Sequence, residues 1–179
     1  MNSPVLIAFG ANIAPEENLA AGIARLHATV RVRAISTVYR TPALVDANAP
    51  IQAPLPDFLN GALCIEGGCE PLGLRELLKK IEREQGRQPG QPGWAPRPLD
   101  FDIALMGEAR FDQEGLTIPD PDIPKRDFLA VPLAELAPEL IHPLLGEPMV
   151  QVAARFLGHT ASMRPDPTAT ARLRAIISL

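Results

Sequence analysis

The segment that most constrains this chain runs from Arg97 to Gly107 and reads Arg-Pro-Leu-Asp-Phe-Asp-Ile-Ala-Leu-Met-Gly. Its apolar residues recur at every second position, which predicts a short strand, because side chains two residues apart share one strand face. The buried face is predicted to carry Leu99, Phe101, Ile103 and Leu105. Asp100 and Asp102 then share the opposite face, about 7 Å apart.

Two carboxylates at this spacing repel each other unless a positive charge neutralises them. No His or Cys stands nearby in the sequence. Hard oxygen ligands of this kind favour Mg²⁺, which is typically bound through one or two carboxylates together with substrate phosphates. For a bare Asp-x-Asp pattern, the alternative is an ordinary strand face exposed to water.

Composition limits the class of protein. The 179 residues are 46% hydrophobic and 21% charged, which is typical of one globular domain with a sizeable core. The net charge of -4 argues against a nucleic-acid coat or a general binder of anionic membranes. Without a basic leader or a long apolar run, the chain is predicted to be cytoplasmic. Cys64 and Cys69 are expected to be free thiols.

The predicted elements occur in the order strand, helix, strand, strand, helix, strand. The second strand loses its alternation after Ala34, which predicts a bulge. The elements are a strand at residues 5–9, a helix from Pro15, a strand at 30–39, a strand at 58–66, a helix at 72–85 and the strand of the two aspartates.

Two proline-rich loops interrupt this pattern. The loop from Thr41 to Asp57 has too many prolines to form a helix or a central strand. The loop at 87–98 contains Arg87, Arg97 and the single Trp. Loops of this length in a compact domain are usually functional or disordered. Two guanidiniums beside a predicted metal site suit a polyphosphate, whereas the Trp could serve only as a packing anchor.

Two polar residues stand out within the predicted elements. Asn60 shares a strand face with Phe58, where an amide can bind the edge of a flat heterocycle while the ring stacks on it. A half-exposed Asn beside a core Phe is the alternative. Glu82 lies in the last turn of its helix, where the helix dipole disfavours a carboxylate. It is therefore expected either to face water or to accept a hydrogen bond.

Motifs spread along the chain resemble one known family. The most specific is Trp-x-Pro-Arg-x-Leu-Asp-x-Asp-Ile at 94–103. The others are Phe-Gly-Ala-Asn at 9–12, Tyr-Arg-Thr-Pro at 39–42, Pro-Asp-Phe-Leu-Asn at 56–60, Ile-Glu at 81–82 with Gly-Arg at 86–87, Ile-Pro at 118–119, Arg-Asp-Phe at 126–128 and Pro-Leu-Ala-Glu-Leu-Ala-Pro at 132–138. Over roughly residues 5–145 the chain resembles 6-hydroxymethyl-7,8-dihydropterin pyrophosphokinase, a family of folate-pathway enzymes.

The resemblance implies a ferredoxin-like α+β fold, with helices on one face of an antiparallel sheet and long catalytic loops on the other. The order of strands and helices predicted above agrees with it. Residues 1–179 are then expected to form a single pyrophosphokinase domain. Its C-terminal helix and tail, at 147–179, lie beyond the resemblance and have no role implied by it.

The resemblance also implies a set of site residues. The pterin pocket is expected to contain Thr41, Pro42, Leu44, Phe58, Asn60, Trp94 and Phe128, with the rings of Trp94 and Phe128 clamping the pterin. ATP is expected to be contacted or organised by Glu82, Arg87, Arg97, Ile103 and Arg126. Asp100 and Asp102 are expected to hold two Mg²⁺ ions and to act in catalysis with Arg87 and Arg97.

The implied reaction transfers pyrophosphate from ATP to the hydroxymethyl group of the pterin and releases AMP. Alignment and charge stabilisation dominate such transfers, so no general base is expected. Arg87 and Arg97 are expected to converge on the phosphates when the loop between them closes. His27, His142 and His159 lie outside the motifs and are assigned structural or surface roles. A monomer with small-molecule substrates, and with no nucleic-acid or membrane partner, is expected.

The chain departs from the family pattern at three places. Ala11 replaces a usual Ser, the loop at 88–93, which includes Pro89, lacks basic residues, and Asp120-Pro121 replaces a usual His and its apolar or aromatic neighbour. These changes bear on ATP binding and loop closure more than on the pterin pocket. A non-catalytic relative that keeps only the pterin pocket is therefore one alternative function. A metal-dependent nucleotide-sugar transferase is another, although such enzymes normally have a larger, doubly wound domain.

Overall fold

The computed structural model describes residues 3–43, 55–91, 95–158 and 162–178. Its centre is an antiparallel sheet with the strand order β5-β1-β4-β3-β8, in which β2 also pairs with β4. The sheet contains β1 (Val5–Ala11), β2 (Val32–Ile35), β3 (Tyr39–Thr41), β4 (Phe58–Ile65), β5 (Asp100–Met106) and β8 (Arg164–Pro165). A separate hairpin is formed by β6 (Phe111–Gln113) and β7 (Leu116–Ile118). The helices are α1 (Pro15–Thr29), α2 (Pro71–Glu84), α3 (Asp127–Leu136), α4 (Met149–Ala154) and α5 (Pro167–Ile176).

The larger hydrophobic core lies between one face of the sheet and the helices α1, α2 and α5. The apolar residues that predicted the first two helices are the ones that are buried, because residues three and four apart share one helix face. They are Leu19, Ile23 and Leu26 in α1, and Leu74, Leu78 and Ile81 in α2. Pro15 and Pro71 stand at the start of these helices, where a missing backbone N–H leaves no hydrogen bond unmade.

Helices also cover part of the opposite face, which corrects the expectation of helices on one face only. A second core joins Leu6 and Ala62 of the sheet to Leu133 of α3 and Met149 of α4. The physical reason lies in the central strand β1, which is buried along its whole length. Its two faces are both apolar, and leaving either in water would forfeit the free energy of burial.

A β-bulge changes the side-chain pattern of the aspartate strand. Ala104 is the extra residue, because Leu6 and Ile7 of the neighbouring strand pair with Leu105 and Ile103. An extra residue moves the side chains after it to the other face of the strand. Leu105 therefore lies in the second core, so the prediction that it shares a face with Ile103 is wrong. Asp100 and Asp102 precede the bulge and keep the predicted alternation.

The single strand predicted at 30–39 is interrupted after Ala34, but the β-bulge lies before Ala34 and not after it. The register shifts between Val32 and Ala34, and β2 ends at Ile35 whereas β3 begins at Tyr39. Ser36 bridges part of the gap, because its hydroxyl accepts a hydrogen bond from the backbone N–H of Ala62 at 2.9 Å. The two strands therefore run along one edge of β4 although they are not continuous.

The described residues after 147 are part of the packed structure. α4 packs against α3, β8 pairs with β3, and α5 packs against α1. Cys64 and Cys69 are free thiols, as predicted. In the described part of the chain, no helix combines the length and the apolar character that crossing a membrane requires.

Candidate active site

The acidic strand β5 presents both carboxylates to one cleft. Asp100 and Asp102 line this cleft, whereas Phe101 between them is buried in the core. The residues of β1 opposite the two carboxylates are Gly10 and Ala8. Because these neighbours are small, space is left above the carboxylates. The predicted shared face of the two aspartates is confirmed.

Asp100 is the centre of an ion-pair cluster. One of its carboxylate oxygens accepts a hydrogen bond from the guanidinium of Arg87, and the other accepts one from Arg97. The Asp100 side chain is only 17% exposed, so these pairs are better shielded from water than surface ion pairs. The two guanidiniums thus already converge on a carboxylate. A phosphate group that binds them has to compete with Asp100 for the same donors.

Glu82 is buried and fully engaged in hydrogen bonds. It is 1% exposed, and it accepts hydrogen bonds from the backbone N–H of Phe101 at 2.7 Å and from Lys79 Nζ at 3.0 Å. Its other oxygen forms an ion pair with Arg87 at 2.9 Å. Of the two sequence-based interpretations, the hydrogen-bonding one is confirmed and the water-exposed one is wrong. Glu82 anchors Arg87 and the start of β5 to the end of α2.

Lys79 is a charged residue of this cluster that the sequence analysis missed. Its Nζ lies 3.5 Å from a carboxylate oxygen of Asp102 and 4.0 Å from one of Asp100. The available signal was its position three residues before Glu82, which places both side chains on one face of α2. Lys79 partly neutralises the two aspartates from the side opposite Arg97.

The electrostatic environment makes Asp102 less acidic than an ordinary aspartate. The Asp102 side chain is 55% accessible to solvent and lines the cleft beside Asp100 and Lys79. Loss of hydration there, followed by repulsion from Asp100, raises the pKa of Asp102 from 3.8 to about 6. Lys79 opposes this shift, and Asp120 adds to it. A cation in the cleft would favour the ionised form.

Asn12 holds the segment that carries Arg97. Its side-chain oxygen accepts a hydrogen bond from the backbone N–H of Arg97 at 2.8 Å, and its backbone N–H donates to the carbonyl of Arg97 at 3.1 Å. Asn12 is 4% exposed and also donates to the carbonyl of Pro56. The sequence motif contained Asn12, but the residue was given no role. The structure shows that it links β1 to both neighbouring loops.

The other half of the cleft is uncharged. It is lined by Thr41, Pro42, Phe58, Asn60 and Phe128, all predicted for the pterin pocket. Asn60 donates a hydrogen bond from Nδ2 to the hydroxyl of Thr41 at 2.7 Å. A Cβ added to Gly10 would lie 2.5 Å from Oδ1 of Asn60, so only glycine lets β1 approach this amide.

The remaining predicted site residues are distributed differently. Leu44, Trp94 and His159 lie outside the described residues. The side chain of Ile103 is buried in the larger core and does not line the cleft. Arg126 lines a neighbouring depression that shares Thr41, Pro42 and Phe128 with the main cleft. Of the histidines expected to be structural, His142 is 2% exposed and accepts backbone hydrogen bonds, and His27 accepts one from Val32.

The donor set of the cleft fits a magnesium ion that also binds phosphates. Two carboxylates reach the cleft from one strand face. Among the described residues there is no group of three or more His, Cys, Asp or Glu side chains that could hold a metal alone. Mg²⁺ normally keeps water ligands and needs only one or two carboxylates when substrate phosphates supply the rest. Asp100 and Asp102 are therefore suitable ligands for Mg²⁺ bound together with a polyphosphate.

The antiparallel sheet carries an uncharged aromatic pocket next to paired carboxylates and guanidiniums. This arrangement is typical of enzymes that transfer phosphoryl-type groups to a small molecule. The family model described as 7,8-dihydro-6-hydroxymethylpterin-pyrophosphokinase matches residues 6–138, and the chain belongs to this family.

Similar proteins agree with this assignment. The chain is 35% identical over 150 residues to 2-amino-4-hydroxy-6-hydroxymethyldihydropteridine pyrophosphokinase of Synechocystis sp., covering 82% of this chain and 73% of the relative. It is 38% identical over 140 residues to the protein of the same name from Pseudomonas aeruginosa, covering 76% and 82%. A solved structure of Plasmodium falciparum HPPK-DHPS with pteroate has a TM-score of 0.65 at 11% identity over 92% of this chain, which shows the fold alone. This chain spans 48% of that longer one.

Proposed function

We propose that this protein transfers pyrophosphate from ATP to 6-hydroxymethyl-7,8-dihydropterin, which gives the pterin diphosphate and AMP in folate biosynthesis. The observation that carries the proposal is the division of one cleft into two halves. The uncharged half, with Asn60 and Phe58, suits a flat heterocycle. The charged half, with Asp100 and Arg97, suits a metal-bound polyphosphate.

In the proposed mechanism the protein aligns the reactants and stabilises charge. The Thr41 and Asn60 pair binds the polar edge of the pterin beside Phe58, and the rings of Trp94 and Phe128 clamp its faces, Trp94 on the resemblance alone. This orientation directs the hydroxymethyl oxygen toward the half of the cleft that holds Asp100. Proximity and alignment of the oxygen with the β-phosphorus lower the barrier without a general base.

The guanidiniums of Arg87 and Arg97 stabilise the charge that develops on the phosphate oxygens as AMP leaves. Glu82 keeps Arg87 in place through the 2.9 Å ion pair between the two side chains. Asp100 and Asp102 would hold Mg²⁺, which neutralises phosphate charge and orients the polyphosphate when it is bound. Two such ions are proposed. Arg126 in the adjacent depression and the backbone near Ile103 complete the nucleotide side of the site.

Several finer predictions belong to the same proposal. The strand order β5-β1-β4-β2, with α1 and α2 as crossovers, supports the ferredoxin-like classification of the central unit. Leu44 and Trp94 are proposed for the pterin pocket on the resemblance alone. A single pyrophosphokinase domain, a monomeric state and a cytoplasmic location stay predictions.

The test is the release of AMP when purified protein is incubated with ATP, Mg²⁺ and 6-hydroxymethyl-7,8-dihydropterin. We expect one AMP and one pterin diphosphate for each ATP consumed, detected by chromatography. Asp102→Ala should lower this turnover by at least about 100-fold at saturating Mg²⁺ while the folded circular dichroism spectrum is retained. Near-normal turnover in that variant would reject the metal-ligand role.

One observation favours a second candidate, a binding protein without catalytic activity. Both guanidiniums of the charged half are engaged by Asp100, and the loop at 88–91 contains no basic residue. Such a protein would bind the pterin and release no AMP. Calorimetric pterin binding without AMP release would support this alternative over the proposed enzyme.

A further inference from the structure

The C-terminal segment at 162–178 lies outside the match to the family model, which ends at residue 138. It nevertheless forms the outer edge of the sheet beside the uncharged half of the cleft, because β8 pairs with β3. The pairs are Tyr39 with Pro165 and Arg40 with Arg164. Thr41, the pocket residue that accepts the hydrogen bond of Asn60, is the next residue of β3.

The segment satisfies backbone groups that the edge would otherwise leave unpaired. The backbone N–H of Val38 donates to the hydroxyl of Thr170 at 2.9 Å, and its carbonyl accepts from the backbone N–H of Asp166 at 2.8 Å. The carbonyl of Ile35 accepts from Arg174 Nε at 3.0 Å. Val38 is fully buried, so these groups have no access to water as a substitute partner.

Two ion pairs then reach the strands that form the pocket. Asp166 accepts a hydrogen bond from Arg40 at 2.8 Å, and Arg40 directly precedes Thr41. Arg164 donates to Asp57 at 3.0 Å, and Asp57 directly precedes Phe58. Thr41 and Phe58 are paired across β3 and β4. The C-terminal segment therefore holds both strands next to the two residues with which they line the pocket.

We propose that Arg164 and Asp166 are positioning residues for the pterin, because they fix the relative placement of β3 and β4 at the wall of the pocket. This inference rests on the proposed function. Thr41 and Asn60 lie on different strands and are joined by one 2.7 Å hydrogen bond. A small displacement of β3 misaligns this pair for the edge of a bound heterocycle, whereas the charged half of the cleft, on α2, β5 and the loop between them, is unaffected.

The test uses two variants that each remove one ion pair. Asp166→Asn loses the charge facing Arg40 but keeps an oxygen that can accept the helix-capping hydrogen bond from the N–H of Ala169, at 2.9 Å in the native protein. Arg164→Ala removes the link to Asp57. The control is Arg172→Ala in α5, which follows Asp166 directly. The guanidinium nitrogen of Arg172 lies 3.9 Å from a carboxylate oxygen of Glu17 in α1. Folding of all variants is checked by thermal unfolding.

Two affinities are measured by calorimetry at a temperature below the unfolding transitions found in that check. The first is for α,β-methylene-ATP with Mg²⁺ alone, and the second is for 6-hydroxymethyl-7,8-dihydropterin in the presence of that analogue. We expect the pterin dissociation constant to rise about two- to five-fold in Asp166→Asn and in Arg164→Ala, as for partly exposed ion pairs. The affinity for the analogue should be unchanged, and Arg172→Ala should behave as the native protein.

A charge exchange provides a stricter check. The double variant Asp57→Arg with Arg164→Asp should recover most of the pterin affinity that Arg164→Ala loses, because the ion pair is rebuilt in reverse. Unchanged pterin affinity in both single variants, or an equal loss of pterin and analogue affinity, overturns the inference while leaving the proposed function intact. If the native protein itself binds no pterin, the proposed function fails, and the inference fails with it.

Discussion

The two halves of the cleft are held together by different kinds of interaction. The pterin side is formed by uncharged side chains from β3, β4 and the start of α3, and its polar groups are already paired, Asn60 with Thr41. The phosphate side is a balanced set of charges, in which Lys79, Arg87 and Arg97 face Glu82, Asp100 and Asp102. The pterin side can bind its ligand without rearrangement. The phosphate side must exchange its ion pairs for new ones when an anion and a cation bind.

This difference explains how paired carboxylates are tolerated on one strand face. Lys79, Arg87 and Arg97 offset much of the negative charge of Glu82, Asp100 and Asp102 within the protein. A polyphosphate bound with Mg²⁺ also carries charges of both signs. The charged side chains can therefore exchange their partners within the protein for partners in the ligand. Because buried ion pairs cost desolvation as well as gaining Coulomb energy, such an exchange can be nearly balanced in free energy.

The largest expected effect concerns the anchor of the phosphate side. Glu82→Ala leaves the backbone N–H of Phe101 without its acceptor and removes a carboxylate facing Lys79 and Arg87. We expect a loss of roughly 3 kcal/mol in the free energy of unfolding, measured by urea denaturation. The control is Glu84→Ala in the same helix, whose exposed ion pair with Arg25 should contribute less than about 1 kcal/mol. Equal losses in the two variants would contradict the anchoring role.

The next prediction addresses the pterin side. Asn60→Ala leaves the hydroxyl of Thr41 without its donor and the polar edge of the bound pterin without a partner. Pterin affinity should fall by about 1 to 3 kcal/mol, with ATP affinity unchanged, in calorimetric titrations. Asn18→Ala, an exposed residue of α1 that bonds the carbonyl of Ile13, is the matched control. Unchanged pterin affinity in Asn60→Ala would reject the proposed contact.

Arg97 tests whether the charged half acts mainly in the transition state. Arg97→Ala removes one of the two guanidiniums at Asp100 and leaves Arg87 in place. Turnover should fall at least tenfold, equivalent to about 1.4 kcal/mol, with a smaller change in the ATP dissociation constant. Single-turnover kinetics measures the chemical step, and a parallel titration measures the ATP dissociation constant. A large loss of ATP affinity with an unaltered chemical step would make Arg97 a ground-state binding residue.

The smallest effect is a pH dependence of stability on the phosphate side. The raised pKa of Asp102, about 6, means that the folded protein binds an extra proton between pH 3.8 and about 6. The metal-free protein should therefore lose stability as pH rises through this window, and solvent exposure of the side chain should keep the change modest. In EDTA, Asp102→Asn should have a higher melting temperature relative to the native protein at pH 7.5 than at pH 4. The same difference at both pH values would exclude the shift.

Local patterns were sufficient for much of this protein. The helix from Pro15 and the helix over 72–85 were found from apolar spacing, because a helix that packs on a sheet buries one face regardless of what lies beyond it. The shared face of Asp100 and Asp102 was predictable from the two-residue period of a strand. The irregularity of the strand around Ala34 was visible because a bulge changes which residues of one strand share a face, although the position of the bulge before Ala34 was not predicted.

Other features depended on distant segments of the chain. The bulge at Ala104 moved Leu105 to the second core, and the apolar run around it contained no sign of the change, because residues on both faces of a central strand are apolar. Lys79 and Asn12 joined the site only through neighbours far along the sequence, Asp102 and Arg97. The packing of α3 and α4 on the second face was likewise hidden.

By itself, the sequence determined the helices and strands up to the aspartate strand, the paired carboxylates and the motifs that identify the family, because each depends on residues a few positions apart. Only the tertiary structure decided how the charges compensate one another and where the C-terminal segment attaches. Charge compensation depends on distances of 2.9 to 4.0 Å between groups such as Lys79, Glu82 and Asp100, brought together by packing. The two-residue strand β8 pairs with β3 through the backbone, which its side chains do not encode, so they carried no signal of the pairing.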